Sequence, residues 1–228
     1  MGKVFVAALA AAAATAFAAA PGYAAVFDDF NRPDAADLGS NWTQVADSSF
    51  ISGNQAGGGI QALATYNGTE GATSVSMDVA LTANGFGYVG GVLGWGSAFN
   101  YFVKVQGRDG AFLNYAFYTG NNGDGDYFTL KEGFSTGRIT VTVAGSVVTL
   151  DIVPDAGAAQ SYSHDYGTAF SGGLAGLALY QGGRADNFGT DGAVGGGGVP
   201  EPATWALLVL GFGAAGATMR RRRAALAA

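Results

Sequence analysis

The stretch Arg138-Ile139-Thr140-Val141-Thr142-Val143-Ala144-Gly145-Ser146-Val147-Val148-Thr149-Leu150-Asp151-Ile152-Val153-Pro154 decides the fold class. Its apolar residues recur at every second position. In an extended strand successive side chains point to opposite faces. Ile139, Val141 and Val143 therefore share one face, with Thr140 and Thr142 on the other. After the turn at Ala144-Gly145-Ser146, Val148, Leu150 and Ile152 share a face, with Thr149 and Asp151 opposite. Two alternating runs joined by a short glycine turn make a β-hairpin with one face in a core. Pro154 closes it, because proline has no N–H to give to a ladder.

Working outward, further strands are expected at residues 60–66, 73–81, 88–95, 101–106, 112–118 and 173–180. Residues 26–30 and 185–188 are expected to pair as terminal strands. No stretch holds a 3.6-residue period over helix length, and residues 35–40 are expected to form one helical turn. Short apolar runs at a spacing of about ten residues, separated by glycines, point to an all-β domain of two packed antiparallel sheets. No fixed repeat is present, which argues against a solenoid or propeller.

The two ends differ from this body. Met1-Gly2-Lys3 followed by an apolar, alanine-rich run reads as a secretory signal over residues 1–24, with cleavage between Ala24 and Ala25. The sandwich is expected over 25–191, and a glycine-rich flexible linker over 192–199. The ends hold five of the eleven Lys and Arg but one of the seventeen Asp and Glu. That leaves six cations against sixteen anions in the body, a charge of −10. So acidic a body argues against nucleic acid as a partner, since phosphate binding needs Lys and Arg. The chain has no cysteine, so neither disulfides nor thiolate zinc sites hold the fold.

At the far end, Val199, Pro200, Glu201 and Pro202 precede Trp205 and Ala206, an uncharged run over 203–219, and the cluster Arg220, Arg221, Arg222 and Arg223. As a helix, 203–219 would span roughly 25 Å, near the lower limit for a bilayer. The arginines would stop it on the cytoplasmic side and leave the body facing outward. Pro200 and Pro202 favour extended backbone, the form that a processing enzyme reads. This order of parts over 199–223 resembles the PEP-CTERM sorting signal in its PEPxxWA variant. The resemblance implies processing by an exosortase-type membrane enzyme in a Gram-negative bacterium that makes extracellular polysaccharide. It implies a transient stay in the inner membrane and delivery to the cell surface or extracellular matrix. Val199, Pro200, Glu201, Pro202, Trp205 and Ala206 are then recognised rather than catalytic.

The body carries a second resemblance. Asp28-Asp29-Phe30-Asn31-Arg32-Pro33 with Leu38-Gly39-Ser40-Asn41-Trp42 is similar to the opening of bacterial concanavalin A-like or laminin-G-like domains. Gly90-Gly91-Val92-Leu93-Gly94, Asn100-Tyr101-Phe102, residues 173–177 and Asp186-Asn187-Phe188 fit the same pattern. The resemblance implies a jelly-roll sandwich, with roles ranging from sugar binding to hydrolysis to adhesion.

The residues themselves offer little catalytic chemistry. Glycoside hydrolysis needs two carboxylates flanking one bond. Glu70 and Glu132 are the only glutamates of the body, and no Glu-x-Asp-x-x-Glu strand is present. His164, the only histidine, stands beside Ser161, Ser163 and Asp165, but sequence neighbours rarely form a triad, and a surface loop is expected there. No catalytic residue is assigned. Asn122, Asp124 and Asp126 alternate with glycine as in calcium loops, and they are the one candidate for a structural cation. Tyr127 and Gly133 break the EF-hand rule there, leaving a solvated hairpin turn as the alternative. Trp42, Trp95, Phe99, Tyr101, Phe102, Tyr115, Phe117, Tyr118, Tyr127 and Phe128 are candidates for stacking on sugar rings, though most are needed as core. Alternation puts Tyr115 and Phe117 on one face and Asn114, Ala116 and Tyr118 on the other. The expected function is a non-enzymatic, glycan-binding or adhesive surface protein linked to exopolysaccharide and biofilm. The alternatives are a secreted glycan hydrolase or lyase of the same fold, and a purely structural passenger.

Overall fold

The computed structural model describes residues 25–97, 99–119 and 126–191. The segments expected to be a secretory signal (1–24), a linker (192–199) and a membrane span (203–219) lie outside the described residues. So do Asn122, Asp124 and the side chain of Asp126.

Among the described residues the elements are β1 (Ala25–Asp28), β2 (Trp42–Ala46), β3 (Ser49–Ser52), β4 (Gln55–Gly58), β5 (Ala62–Tyr66), β6 (Ser74–Leu81), β7 (Phe86–Trp95), β8 (Tyr101–Arg108), β9 (Ala111–Thr119), β10 (Asp126–Phe134), β11 (Thr136–Ala144), β12 (Val147–Pro154), β13 (Gln160–Asp165), β14 (Leu174–Gln181) and β15 (Gly183–Thr190). All are strands. One sheet runs β13-β12-β11-β6-β15-β4-β3, with β1 added along β15, and the other runs β10-β9-β8-β7-β14-β5-β2. Neighbours pair antiparallel, and the two sheets stack as a jelly-roll sandwich.

The deciding hairpin is β11–β12, with Val141 opposite Leu150 and Thr142 opposite Thr149. Gly145, at φ +63°, supplies the left-handed turn residue. Ile139, Val141, Val148, Leu150 and Ile152 are fully buried, facing the other sheet. Burial of each such side chain contributes about 1.5–3 kcal/mol. On the facing sheet the inward positions are Val89, Leu93, Tyr101, Val103, Val105, Leu177 and Leu179. Gly91 lies between them because the sheets approach closely there. A Cβ on Gly91 would come within 2.6 Å of Val75 Cγ1.

The opening and closing motifs meet. β1 pairs with β15, as the terminal strands were expected to. Asp28 accepts Arg32 Nη1 and Nη2 at 2.6 and 3.0 Å, Trp42 Nε1 at 2.7 Å and the Phe30 amide at 2.9 Å. Trp42 packs edge-on against Phe188 at 4.8 Å and against Tyr66 at 5.1 Å. The residues that looked like family punctuation therefore form one latch holding the N-terminal segment to the last strand.

Two local expectations fail. Residues 35–40 form no helical turn: Ala35 makes a bridge to Ile51, with both backbone hydrogen bonds at 2.9–3.1 Å. Asp34 Oδ1 takes the Gly53 amide at 2.8 Å and Asp37 Oδ1 the Gly39 amide at 2.9 Å. Short Asp side chains that capture nearby amides favour turns over helix. His164 is not in a loop. It lies in β13 opposite Val148, half-buried, with its ring 4.5 Å from Tyr166 and 5.9 Å from Phe117. β13 escaped detection because its period of two is written in Gln160, Tyr162 and His164, which give weak hydrophobic contrast.

Candidate functional site

Strand alternation divides the aromatic residues between core and water. On β8, Tyr101, Val103 and Val105 turn inward, so Phe102 and Lys104 turn outward. On β7, Val89 and Leu93 turn inward, so Tyr88 and Val92 turn outward. On β9, Phe117 and Tyr115 pack toward the core, while Tyr118 emerges on the far side with Ala116, the division expected from sequence. The outer face of the seven-stranded sheet thus carries a row of touching rings. Phe86 meets Tyr180 at 5.5 Å, Tyr180 meets Tyr88 at 5.3 Å, and Tyr88 meets Phe102 at 5.9 Å. Phe102 stacks on Tyr118 at 5.3 Å, and Tyr118 meets Tyr127 edge-on at 6.1 Å. The row crosses five adjacent strands from β14 to β10, roughly 19 Å at the usual strand spacing.

An open pocket of about 460 Å³ lies over this row. Tyr88, Phe102, Tyr118, Tyr127 and Trp95 line it together with Val92, Ala178, Gln61 and Asn100. Gly90 keeps the floor low: a Cβ there would sit 2.4 Å from Phe102 Cε2 and 2.9 Å from Lys104 Cβ. Tyr127 is 59% exposed, whereas Tyr88 and Tyr118 are buried. Burial pushes the Tyr88 phenol up to about 12 and raises Tyr118 as well, so both are neutral hydrogen-bonding groups.

Lys104 stands in the middle of this pocket. Its Nζ lies 4.3 Å from the ring centre of Tyr88, 5.0 Å from Tyr118 and 5.3 Å from Tyr127. Burial lowers its pKa to about 8. No Asp or Glu lines the pocket among the described residues.

Of the stacking candidates, the structure places Trp42, Tyr101 and Phe117 in the core and brings Trp95, Phe102, Tyr118 and Tyr127 together on the outer face. Phe99 and Phe128 are partly exposed elsewhere. Tyr88, Tyr180, Phe86 and Lys104 escaped sequence reasoning. One signal was available, a lysine flanked by valines in Phe102-Val103-Lys104-Val105. Ser161, Ser163 and Asp165 point to the face of β13 opposite His164, so these neighbours form no triad. Glu70 and Glu132 are exposed, on a loop and on the edge strand β10 respectively. Among the described residues no group of three His, Asp or Glu is placed to hold a metal. A second hollow, about 510 Å³, opens beside the Asp28–Arg32 latch, but those charges are already satisfied by each other.

Fold and site together define an all-β sandwich with an aromatic pocket on one sheet. Residues 198–223 match the PEP-CTERM protein-sorting motif. The matched range includes Val199 to Pro202, Trp205, Ala206 and the arginines 220–223, and the motif is one of exported proteins of Gram-negative bacteria. No curated protein matches the sequence. Solved structures of similar shape include the Bacillus licheniformis beta-glucanase, at 10% identity and a TM-score of 0.47, covering 72% of this chain and 95% of that one. They include the carbohydrate-binding module CBM66 from Bacillus subtilis, at 14% identity and a TM-score of 0.43, covering 67% and 94%. A galectin from Caenorhabditis elegans is similar at 10% identity and a TM-score of 0.38, covering 56% and 87%. At these identities the likenesses assign no residue a role.

Proposed function

We propose that this protein is an exosortase-processed surface or matrix protein whose sandwich binds extracellular polysaccharide without cleaving it. The observation that carries the reading is the aromatic pocket on the outer face of the seven-stranded sheet. An open pocket walled by aromatic rings, with Tyr127 59% exposed at its mouth, is the kind of concave, mostly apolar surface that binds ligands. A sugar ring has an apolar C–H face and a hydroxyl rim. The face suits the rings of Tyr127, Phe102 and Trp95, and the rim suits the amides of Gln61 and Asn100. A row crossing five strands suits an extended chain better than a single sugar. Binding is favoured over hydrolysis because no carboxylate pair faces the pocket among its described residues. The tail, before its removal, holds the protein in the inner membrane, and the cell surface or matrix is its destination.

The test is affinity electrophoresis of the full-length chain against a panel of acidic and neutral polysaccharides, with an assay for new reducing ends. Retardation without release of reducing ends is expected. Tyr127→Ala and Trp95→Ala should each weaken binding about two- to tenfold, the worth of one aromatic contact. Reducing ends released by the wild type would instead support the hydrolase alternative. Free migration in every polysaccharide would remove the sugar-binding reading.

A further inference from the structure

Lys104 is one of six cations in an acidic body, and its setting is unlike that of a solvated lysine. It is 6% exposed, although alternation turns it to the water side of the sheet. Four rings surround its ammonium, with Phe102 at 5.8 Å completing the set. Ring faces attract a cation but accept no strong hydrogen bond. An ammonium has three N–H donors. The described residues give those donors no carboxylate: the ion pairs among them are Asp28–Arg32 and Asp78–Arg138. Nor do they give the ammonium a hydrogen-bond acceptor. A buried charge without such partners costs stability, and a methionine would fill the same space without that cost.

We infer that this pocket, granted that it is a sugar site, is built for an anionic sugar residue whose carboxylate or sulfate oxygens accept the N–H donors of Lys104. The rings then do two things. They stack on the sugar, and they hold the ammonium in a largely buried position where a charge-assisted hydrogen bond is stronger than in bulk water. The attraction is local. The whole chain carries a net charge of −6, so it gives polyanions no long-range pull. The groups facing Lys104 are Tyr88 of β7, Tyr118 of β9 and Tyr127 of β10, with Tyr180 of β14 behind Tyr88. Tyr88 and Tyr118 stay neutral through the range in which Lys104 loses its proton. Lys104 is charged below about 8, and the preference for anions fades as pH rises through that value.

The probes are oligogalacturonate, a sulfated dextran oligosaccharide and a neutral gluco-oligosaccharide, titrated calorimetrically into the full-length chain and into its Lys104→Met and Tyr127→Ala variants. At about pH 7 at least one anionic probe should bind about tenfold or more tighter than the neutral one, as a charged hydrogen bond allows. Which anionic probe wins separates carboxylate from sulfate recognition. Lys104→Met should remove the preference, so that the anionic probes bind no tighter than the neutral one, while Tyr127→Ala weakens the binding of all three. Should Lys104→Met fail to fold, the wild type reads the same charge: its anionic preference must fade between about pH 7 and about pH 9.5 as an amine of lowered pKa deprotonates. Equal affinity for the three probes, unmoved by pH, overturns the anion subsite and leaves the sugar site standing. No binding of any probe overturns both.

Discussion

Asp28→Ala is expected to cost the fold about 3–5 kcal/mol, the range seen when a buried ion pair is broken from one side. Asp28 is 8% exposed and accepts four hydrogen bonds, from both terminal nitrogens of Arg32, from Trp42 Nε1 and from the Phe30 amide. Alanine leaves the indole N–H buried without an acceptor, which adds about 1–3 kcal/mol of desolvation by itself. Arg32 softens the loss, because its side chain is 35% exposed and recovers water. Burial pushes the Asp28 carboxyl up, but the hydrogen bonds from Arg32, Trp42 and Phe30 outweigh it and hold the group below its ordinary 3.8. A carboxyl depressed in the folded state stabilises it above the unfolded value and loses that contribution as pH falls. The gap between wild type and Asp28→Asn, measured by urea denaturation, should therefore be full near neutral pH and close as pH drops below about 4. An Asp28→Ala variant within about 0.5 kcal/mol of wild type, the scatter of neutral surface changes, would contradict the latch.

Phe188→Ala should be as damaging, at about 3–5 kcal/mol for a buried phenylalanine. Phe188 is fully buried, 4.8 Å from Trp42 and 5.9 Å from Tyr66. It stands on β15, where β1 joins the sheet, so its loss opens a cavity under the same latch. The two changes share Trp42, and the double variant should lose less than the sum of the single losses. Urea midpoints of the four proteins, with slopes held equal, measure this coupling.

Much of the body was legible because its signals are local. The hairpin at 138–154 shows its inner face through Ile139, Val141, Leu150 and Ile152 within seventeen residues of sequence, and all four are buried as read. β7, β8, β9 and β14 were visible for the same reason, though each extends a residue or two further than its apolar run. β2, β3 and β4 were not seen. They are four or five residues long, and β4 is Gln-Ala-Gly-Gly, which has no pattern to display. Their pairing comes from neighbours already in the sheet rather than from their own side chains. The helical turn at 35–40 failed because Asp34 and Asp37 capture amides at Gly53 and Gly39, and the first of these is nineteen residues away.

The sequence by itself determined that the middle of the chain is a β-sandwich and that its end carries an export-sorting signal. Alternation and an ordered tail motif are both complete within a short window, and neither needs a partner from elsewhere. Alternation also showed that each strand has two unlike faces. It left open which face meets water, because that depends on which strands stand side by side. Strand order decided it: Tyr88, Lys104, Tyr118 and Tyr127 sit on four different strands, and only the neighbouring of β7, β8, β9 and β10 gathers the three rings around one ammonium. The pocket is a property of the sheet, since no single segment holds enough of it to be read.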